Sequence, residues 1–279
     1  MLLKKLLLAR FARTGGVLCL LAALSTSLAV EPARAESLQT LPSFQQCVKR
    51  ALEVESMGAE DALTRSEIEY QVKQAYDRIL VRKEQIAISR EVQGHFEKAV
   101  TAAEQKFEEG EGDVTQGALT KLKLGLAGTL NDINQFESDI ALARLDLERL
   151  LGVGIDPQFK MDDETLSPRE FPFQTLKEYL RQAEGASRSV LKRERRIALE
   201  KSMVRVNQAR SQFILAGKNR KMTRALLVTE VANYDFGIGS EKDLFETLII
   251  YTRVLVGYYD ALFHFNEAVA KFEREFVSR

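Results

Sequence analysis

Apolar side chains recur along this chain with a seven-residue period, three positions and then four, through two long stretches. The first runs Leu119, Leu122, Leu126, Thr129, Ile133, Phe136, Ile140, Ala143, Leu147, Leu150, and the second Leu244, Leu248, Tyr251, Leu255, Tyr258, Leu262, Phe265, Val269, Phe272, Phe276. This spacing puts the set on one helix face, and a stripe about five heptads long needs a facing helix to receive its knobs. Upstream of the first stretch, residues 59–109 contain no proline and one glycine, Gly94, and carry a looser stripe: Ile68, Val72, Ala75, Ile79, Ile86, Phe96, Val100, Ala103 and Phe107, with lapses at Arg82, Ser89 and Gln93. A helix of that length reaches about 70 Å at 1.5 Å per residue. Upstream of the second stretch, 187–216 and 222–236 are helical in pattern. Gly217-Lys-Asn-Arg-Lys221 between them is predicted as a break, so this helix is expected to be incomplete. A short helix is predicted over Leu38–Met57, with Phe44, Val48, Ala51 and Leu52 on one face; Leu176, Leu180 and Ala183 take the same spacing in the second half.

The two long pairs share a turn. Phe107-Glu-Glu-Gly110-Glu-Gly112 returns as Tyr234-Asp-Phe-Gly237-Ile-Gly239. A glycine closing a helix takes the left-handed conformation that side chains resist, and Asp113 and Ser240 are suited to N-cap the helices that follow. The chain is therefore predicted to be all-α, with two αα-hairpin repeats of long antiparallel coiled-coil helices. Their bounds are 36–152 and 173–279, and the linker 153–172 is marked by Pro157, Pro168 and Pro172. Such duplication points to an assembling repeat rather than to a catalyst built around one pocket.

Residues 1–35 read as an export signal: Lys4, Lys5, Arg10 and Arg13, then an apolar stretch from Gly15 to Val30, then Ala33-Arg34-Ala35. Leu18 argues against a lipoprotein site at Cys19. Without that segment the chain has 35 basic and 39 acidic residues, a balance that disfavours nucleic acid as a partner. It keeps one cysteine, Cys47, so no internal disulfide is expected. His95 and His264 lie within helical runs, and no nucleophile, base and orienting group come at recognisable spacing, so an enzyme is not expected. No glycine-rich phosphate loop with its lysine occurs, so no nucleotide cofactor is expected. Asp162-Asp163-Glu164 lacks the calcium-loop pattern and reads as solvated linker.

The block Tyr70-Gln-Val-Lys-Gln-Ala-Tyr76, with Phe107-Glu-Glu-Gly-Glu-Gly-Asp-Val-Thr115 and Ala143-Arg-Leu-Asp-Leu-Glu-Arg-Leu-Leu-Gly152, resembles the first repeat of TolC-type outer-membrane efflux proteins. Asn233-Tyr-Asp-Phe-Gly-Ile-Gly-Ser-Glu-Lys-Asp-Leu-Phe245, with Tyr258 to Phe272 after it, resembles the second. The resemblance implies a homotrimer whose paired helices form a hollow periplasmic cylinder continuous with an outer-membrane barrel. It also implies hairpin tips that meet the periplasmic adaptor protein of an inner-membrane pump. Carried over by position, the tip residues are Gly110, Gly112, Asp113, Val114 and Thr115, then Gly237, Gly239, Asp243 and Leu244. Where relatives often carry an acidic residue after the turn, the second tip has Asp243 and the first has Gly117.

The barrel is where the sequence departs. Members of that family insert two membrane strands per repeat, and a strand needs about nine to eleven residues alternating apolar with polar. Met57–Ser66 and Phe213–Met222, taken as the corresponding places, are too short and lack the alternation, and tryptophan is absent. Two expectations compete: a tripartite-export conduit at or near the outer membrane whose membrane part is reduced or supplied by another subunit, and a barrel-less soluble periplasmic scaffold or binding module, closed as a four-helix bundle.

Overall fold

The computed structural model describes residues 37–55, 62–110, 114–163, 165–182 and 192–277. The export-signal segment 1–35 lies outside them. The order is β1 (Leu38–Leu41), α1 (Phe44–Glu55), α2 (Ala62–Glu109), α3 (Gln116–Leu151), β2 (Ile155–Met161), α4 (Leu176–Gln182), α5 (Arg193–Asp235) and α6 (Glu241–Val277). Four long helices dominate, as the heptad pattern requires: α2 pairs with α3, α5 pairs with α6, and the pairs join through α2 and α6. The helices thus lie in the order α3, α2, α6, α5. The outer helix α3 also touches α6, but α3 and α5 do not pack on each other, so the four are open on that side and not a closed four-helix bundle.

The predicted seams are the core. On α3, Leu119, Leu122, Thr129, Ile133, Phe136, Ala143, Leu147 and Leu150 are buried. On α6, Leu244, Leu248, Tyr251, Leu255, Leu262, Phe265, Val269 and Phe272 are buried. The lapses in the α2 stripe hold a polar knot between the two hairpins. Arg82 pairs with Asp139 of α3 at 2.8 Å and with Asp260 of α6 at 3.3 Å. The fully buried Gln85 donates to Asp260 at 2.8 Å and to the Val256 carbonyl at 3.1 Å. Gly125 admits a close approach nearer the tips: a Cβ there would lie 2.6 Å from the Phe96 ring and 3.2 Å from that of Phe245.

Three features differ from the sequence expectation. The break at 217–221 does not occur, and α5 runs unbroken for 43 residues. The penalty of a helical glycine is about 1 kcal/mol. Gly217 sits against Tyr258, 3.7 Å from where its Cβ would be, and Arg220 stacks 4.6 Å over the same ring. The linker is ordered as well: β2 pairs parallel with β1, Leu38 with Ile155 and Leu41 with Met161. Pro157 falls within the register shift, where a missing N–H interrupts nothing. Asp163 is no solvated linker residue. One of its carboxylate oxygens accepts from the Tyr76 hydroxyl at 2.8 Å and from the Phe44 N–H, at the start of α1, at 3.0 Å. Glu164 lies outside the described residues.

After β2, residues 165–175 form a strap over the α5–α6 groove. Arg210 of α5 donates to the Phe171 and Phe173 carbonyls at 2.6 and 3.0 Å, and Asn207 donates to that of Gln174 at 2.7 Å. Phe171 packs edge-on against Phe272 with ring centroids 5.5 Å apart. The expected place of the second membrane-strand pair also changes, because 213–222 is helix. The connections that correspond by position are 56–61, between α1 and α2, and 183–192, between α4 and α5. Two spanning strands need about 18–22 residues, more than either connection contains. No helix among the described residues is long and apolar enough to cross a membrane.

Candidate functional site: the hairpin tips

Each hairpin turns on a glycine. Gly110 has φ 66° and Gly237 has φ 72°, the left-handed region where a Cβ would be strained. The second turn is closed by its own backbone: the Gly237 N–H donates to the Tyr234 carbonyl at 3.0 Å, and the Ile238 and Gly239 N–H groups both donate to the Asn233 carbonyl at 2.9 Å. These bonds satisfy carbonyls that a helix end leaves free. Gly239 is needed for space, since a Cβ there would meet the Tyr234 nitrogen at 3.1 Å.

The caps follow. Thr115 is the N-cap of α3, with extended backbone (φ −96°, ψ 153°) and a side chain accepting from the Ala118 N–H. This is the role expected of Asp113, which with Gly112 lies outside the described residues. Ser240 starts α6 as expected: its hydroxyl accepts from the Asp243 N–H at 3.2 Å and donates to the Asp243 carboxylate at 2.7 Å. Val114 is half-buried against the tip-side core. Leu244 is 3 % exposed, so it packs inside the hairpin and offers no surface to a partner.

Two surface side chains were missed in the sequence. Phe236 and Ile238, flanking Gly237, are each 79 % exposed. Their counterparts in the first turn are Glu109 and Glu111, so one tip bears apolar side chains where the other has carboxylates. The signal was present in the repeated string, whose glycines match while their neighbours differ in kind.

The hairpins are tied just above the tips. Lys106 of α2 pairs with Glu241 of α6 at 3.0 Å and lies 5.3 Å over the Tyr234 ring of α5. Burial, and then the Glu241 and Asp235 charges, push the Tyr234 phenol up to about 12, so it stays neutral. Among the described residues, no group of three or more His, Cys, Asp or Glu side chains could hold a metal ion. Cys47 is fully buried with its thiol 3.3 Å from the Pro42 carbonyl, and burial, then Asp163 and Asp162, push it up to about 12. It is therefore no nucleophile.

No family model matches the chain, and no curated protein matches it. Solved structures do. The outer-membrane channel OprN superposes with a TM-score of 0.58 at 11 % identity, over 85 % of this chain and 70 % of that one. CusC, solved in a study of folding and transmembrane channel formation, gives 0.56 at 12 % over 83 % and 74 %. The CmeC outer membrane channel of Campylobacter jejuni gives 0.58 at 12 % over 84 % and 66 %. At such identities the likeness is one of fold, and the chain has the helical fold of TolC-type outer-membrane channels.

Proposed function

We propose that this protein is a wall segment of a periplasmic export conduit, three copies of which close a helical cylinder whose tips dock on the adaptor protein of an inner-membrane pump. The observation that carries this reading is the open layer with apolar edges. Ile197, Val204, Leu215, Met222 and Leu226 recur at helical spacing along the outward edge of α5, and Leu215 and Met222 are 59 % and 65 % exposed. On the other edge, α3 exposes Leu124, Leu142 and Leu145. Exposed apolar side chains on both free edges, a stripe on α5 and separate leucines near each end of α3, are what lateral packing of identical chains requires.

The two edges also fit in height. Counted from the tips at 1.5 Å per residue, Leu124 and Leu226 both stand about 12–14 Å up, and Leu145 and Val204 about 44–46 Å. A cysteine at Leu124 and another at Leu226 in one chain should therefore cross-link between copies under mild oxidation and give a three-chain product. Cross-linking that stops at single chains, or that pairs positions at unmatched heights equally well, would reject the cylinder.

The short connections 56–61 and 183–192 favour a conduit whose outer-membrane part comes from another subunit. Adaptor docking rests on Gly110, Gly112, Asp113, Val114 and Thr115 of the first tip and on Gly237, Gly239 and Asp243 of the second, with Phe236 and Ile238 as apolar contacts. Export through this subunit is passive, driven by the pump.

A further inference from the structure

The segment 217–221 that reads as a helix break has no role in the wall or the tips. It lines the α5–α6 groove just where the strap stops covering it. Eleven residues make three turns, so Lys218 and Lys221 repeat the positions of Asn207 and Arg210 on the same face of α5. Those two hold the strap: they donate to its carbonyl oxygens, and the Arg210 guanidinium lies 5.8 Å from the Phe171 ring. Three turns on, the Arg210 cation is matched by Lys221, the neutral Asn207 is replaced by a second cation, Lys218, and no strap lies against them.

Lys218 and Lys221 are exposed, and Lys218, Arg220 and Lys221 enter no ion pair among the described residues. The floor is aromatic: Phe213 and Tyr258 lie with ring centroids 5.6 Å apart, Arg220 stacks on the Tyr258 ring, and Gly217 puts no side chain against that ring's edge. The groove encloses about 540 Å³, within the usual range for a small-molecule site.

We propose that this open stretch binds a small anionic amphiphile, its carboxylate, sulfate or phosphate head held by Lys218 and Lys221 and its apolar body lying on Phe213 and Tyr258. The covered stretch shows the chemistry the groove accepts, an aromatic body with oxygen acceptors at a cation. A bare anion would leave the apolar floor uncovered, and a neutral amphiphile would forgo the charge-assisted hydrogen bonds the lysines can donate. The lining residues all belong to one chain, with Lys218 at the border of the edge stripe, beside Leu215 and Met222 on the helix surface.

The test is calorimetric titration of the purified full chain with dodecanoate below its micelle concentration, with dodecyl maltoside and inorganic phosphate as comparison ligands and helical content followed by circular dichroism. Saturable binding of one dodecanoate per chain is expected, at least tenfold tighter than either comparison ligand. The double variant Lys218→Gln/Lys221→Gln should weaken it at least tenfold. So should Gly217→Leu, which fills the groove with a better helix former. Unsaturable binding, equal binding by the lysine variant, or phosphate or maltoside binding as tightly as dodecanoate would overturn the assignment.

Discussion

Replacing Asp163 by alanine tests whether the inter-repeat segment is clasped to the helices or merely connects them. Its carboxylate accepts from the Phe44 N–H at 3.0 Å and from the Tyr76 hydroxyl at 2.8 Å, and Tyr76 is 1 % exposed. The first bond satisfies a donor at the start of α1, a contribution of about 1 kcal/mol. The second joins a buried hydroxyl to a carboxylate, worth about 1.5–3 kcal/mol when lost. The hydroxyl keeps a fallback, the Pro42 carbonyl at 3.2 Å, which places the loss near the lower end. Asp163→Ala should therefore destabilise the chain by about 2–3 kcal/mol. Urea unfolding followed by circular dichroism reads this directly, with Asp162→Ala, an exposed neighbour, as the control. A double-mutant cycle with Tyr76→Phe should return a coupling of about 1 kcal/mol or more. Equal midpoints for Asp163→Ala and Asp162→Ala would refute the clasp and restore the solvated linker.

Two glycines of α3 should respond with opposite signs. Gly125→Ala drives a methyl into the Phe96 ring and should destabilise by about 1–3 kcal/mol, whereas Gly128, with nothing within 4 Å of its Cβ position, should gain up to about 1 kcal/mol on the same change; thermal unfolding of both variants decides. Phe236→Ser with Ile238→Ser should abolish capture by the adaptor while moving stability by less than about 0.5 kcal/mol, because both side chains already face solvent; undiminished capture removes them from the docking surface. His264 lies 3.5 Å from Glu267 and is held above its ordinary value by that hydrogen bond, while Glu267 is held below its own, chiefly by the same bond. The stability His264 adds is present below the unfolded value near 6.5 and is lost as pH rises through its raised value. Glu267's share is present above the unfolded value near 4.5 and is lost as pH falls through its lowered value. With the imidazole side chain 63 % exposed the effect should stay below about 1 kcal/mol, and His264→Gln should flatten the fall of urea midpoint between pH 6 and 8.

The fold was legible where one physical demand acted on a stretch. On α3 and α6 the buried face carries an unbroken seven-residue period and the exposed leucines are too few to mask it, so the seam could be read residue by residue. On α5 two demands overlap. One set of apolar positions faces α6, including Leu199, Met203 and Val206, and another faces outward, including Val204, Leu215 and Met222. Their sum has no single period, which is why the sequence reads as a break at Gly217. The clasp was hidden for another reason: Asp163 finds Tyr76 across 87 positions, and no local pattern encodes that meeting. β1 was read as the start of a helix because four residues carry too little alternation to tell strand from helix. At the tips, glycine spacing located the turns, Thr115 replaced Asp113 as cap, and burial removed Leu244 from the surface. The exposed Phe236 and Ile238 became visible only once the turn was built.

The most direct measurement is the mass of the purified protein in solution, by sedimentation with and without detergent. A conduit wall requires three chain masses at micromolar concentration, and charged substitution at Leu215 and Met222 should reduce these to one. A wild-type chain that sediments as a single folded copy under both conditions contradicts the cylinder and leaves a solitary helical layer.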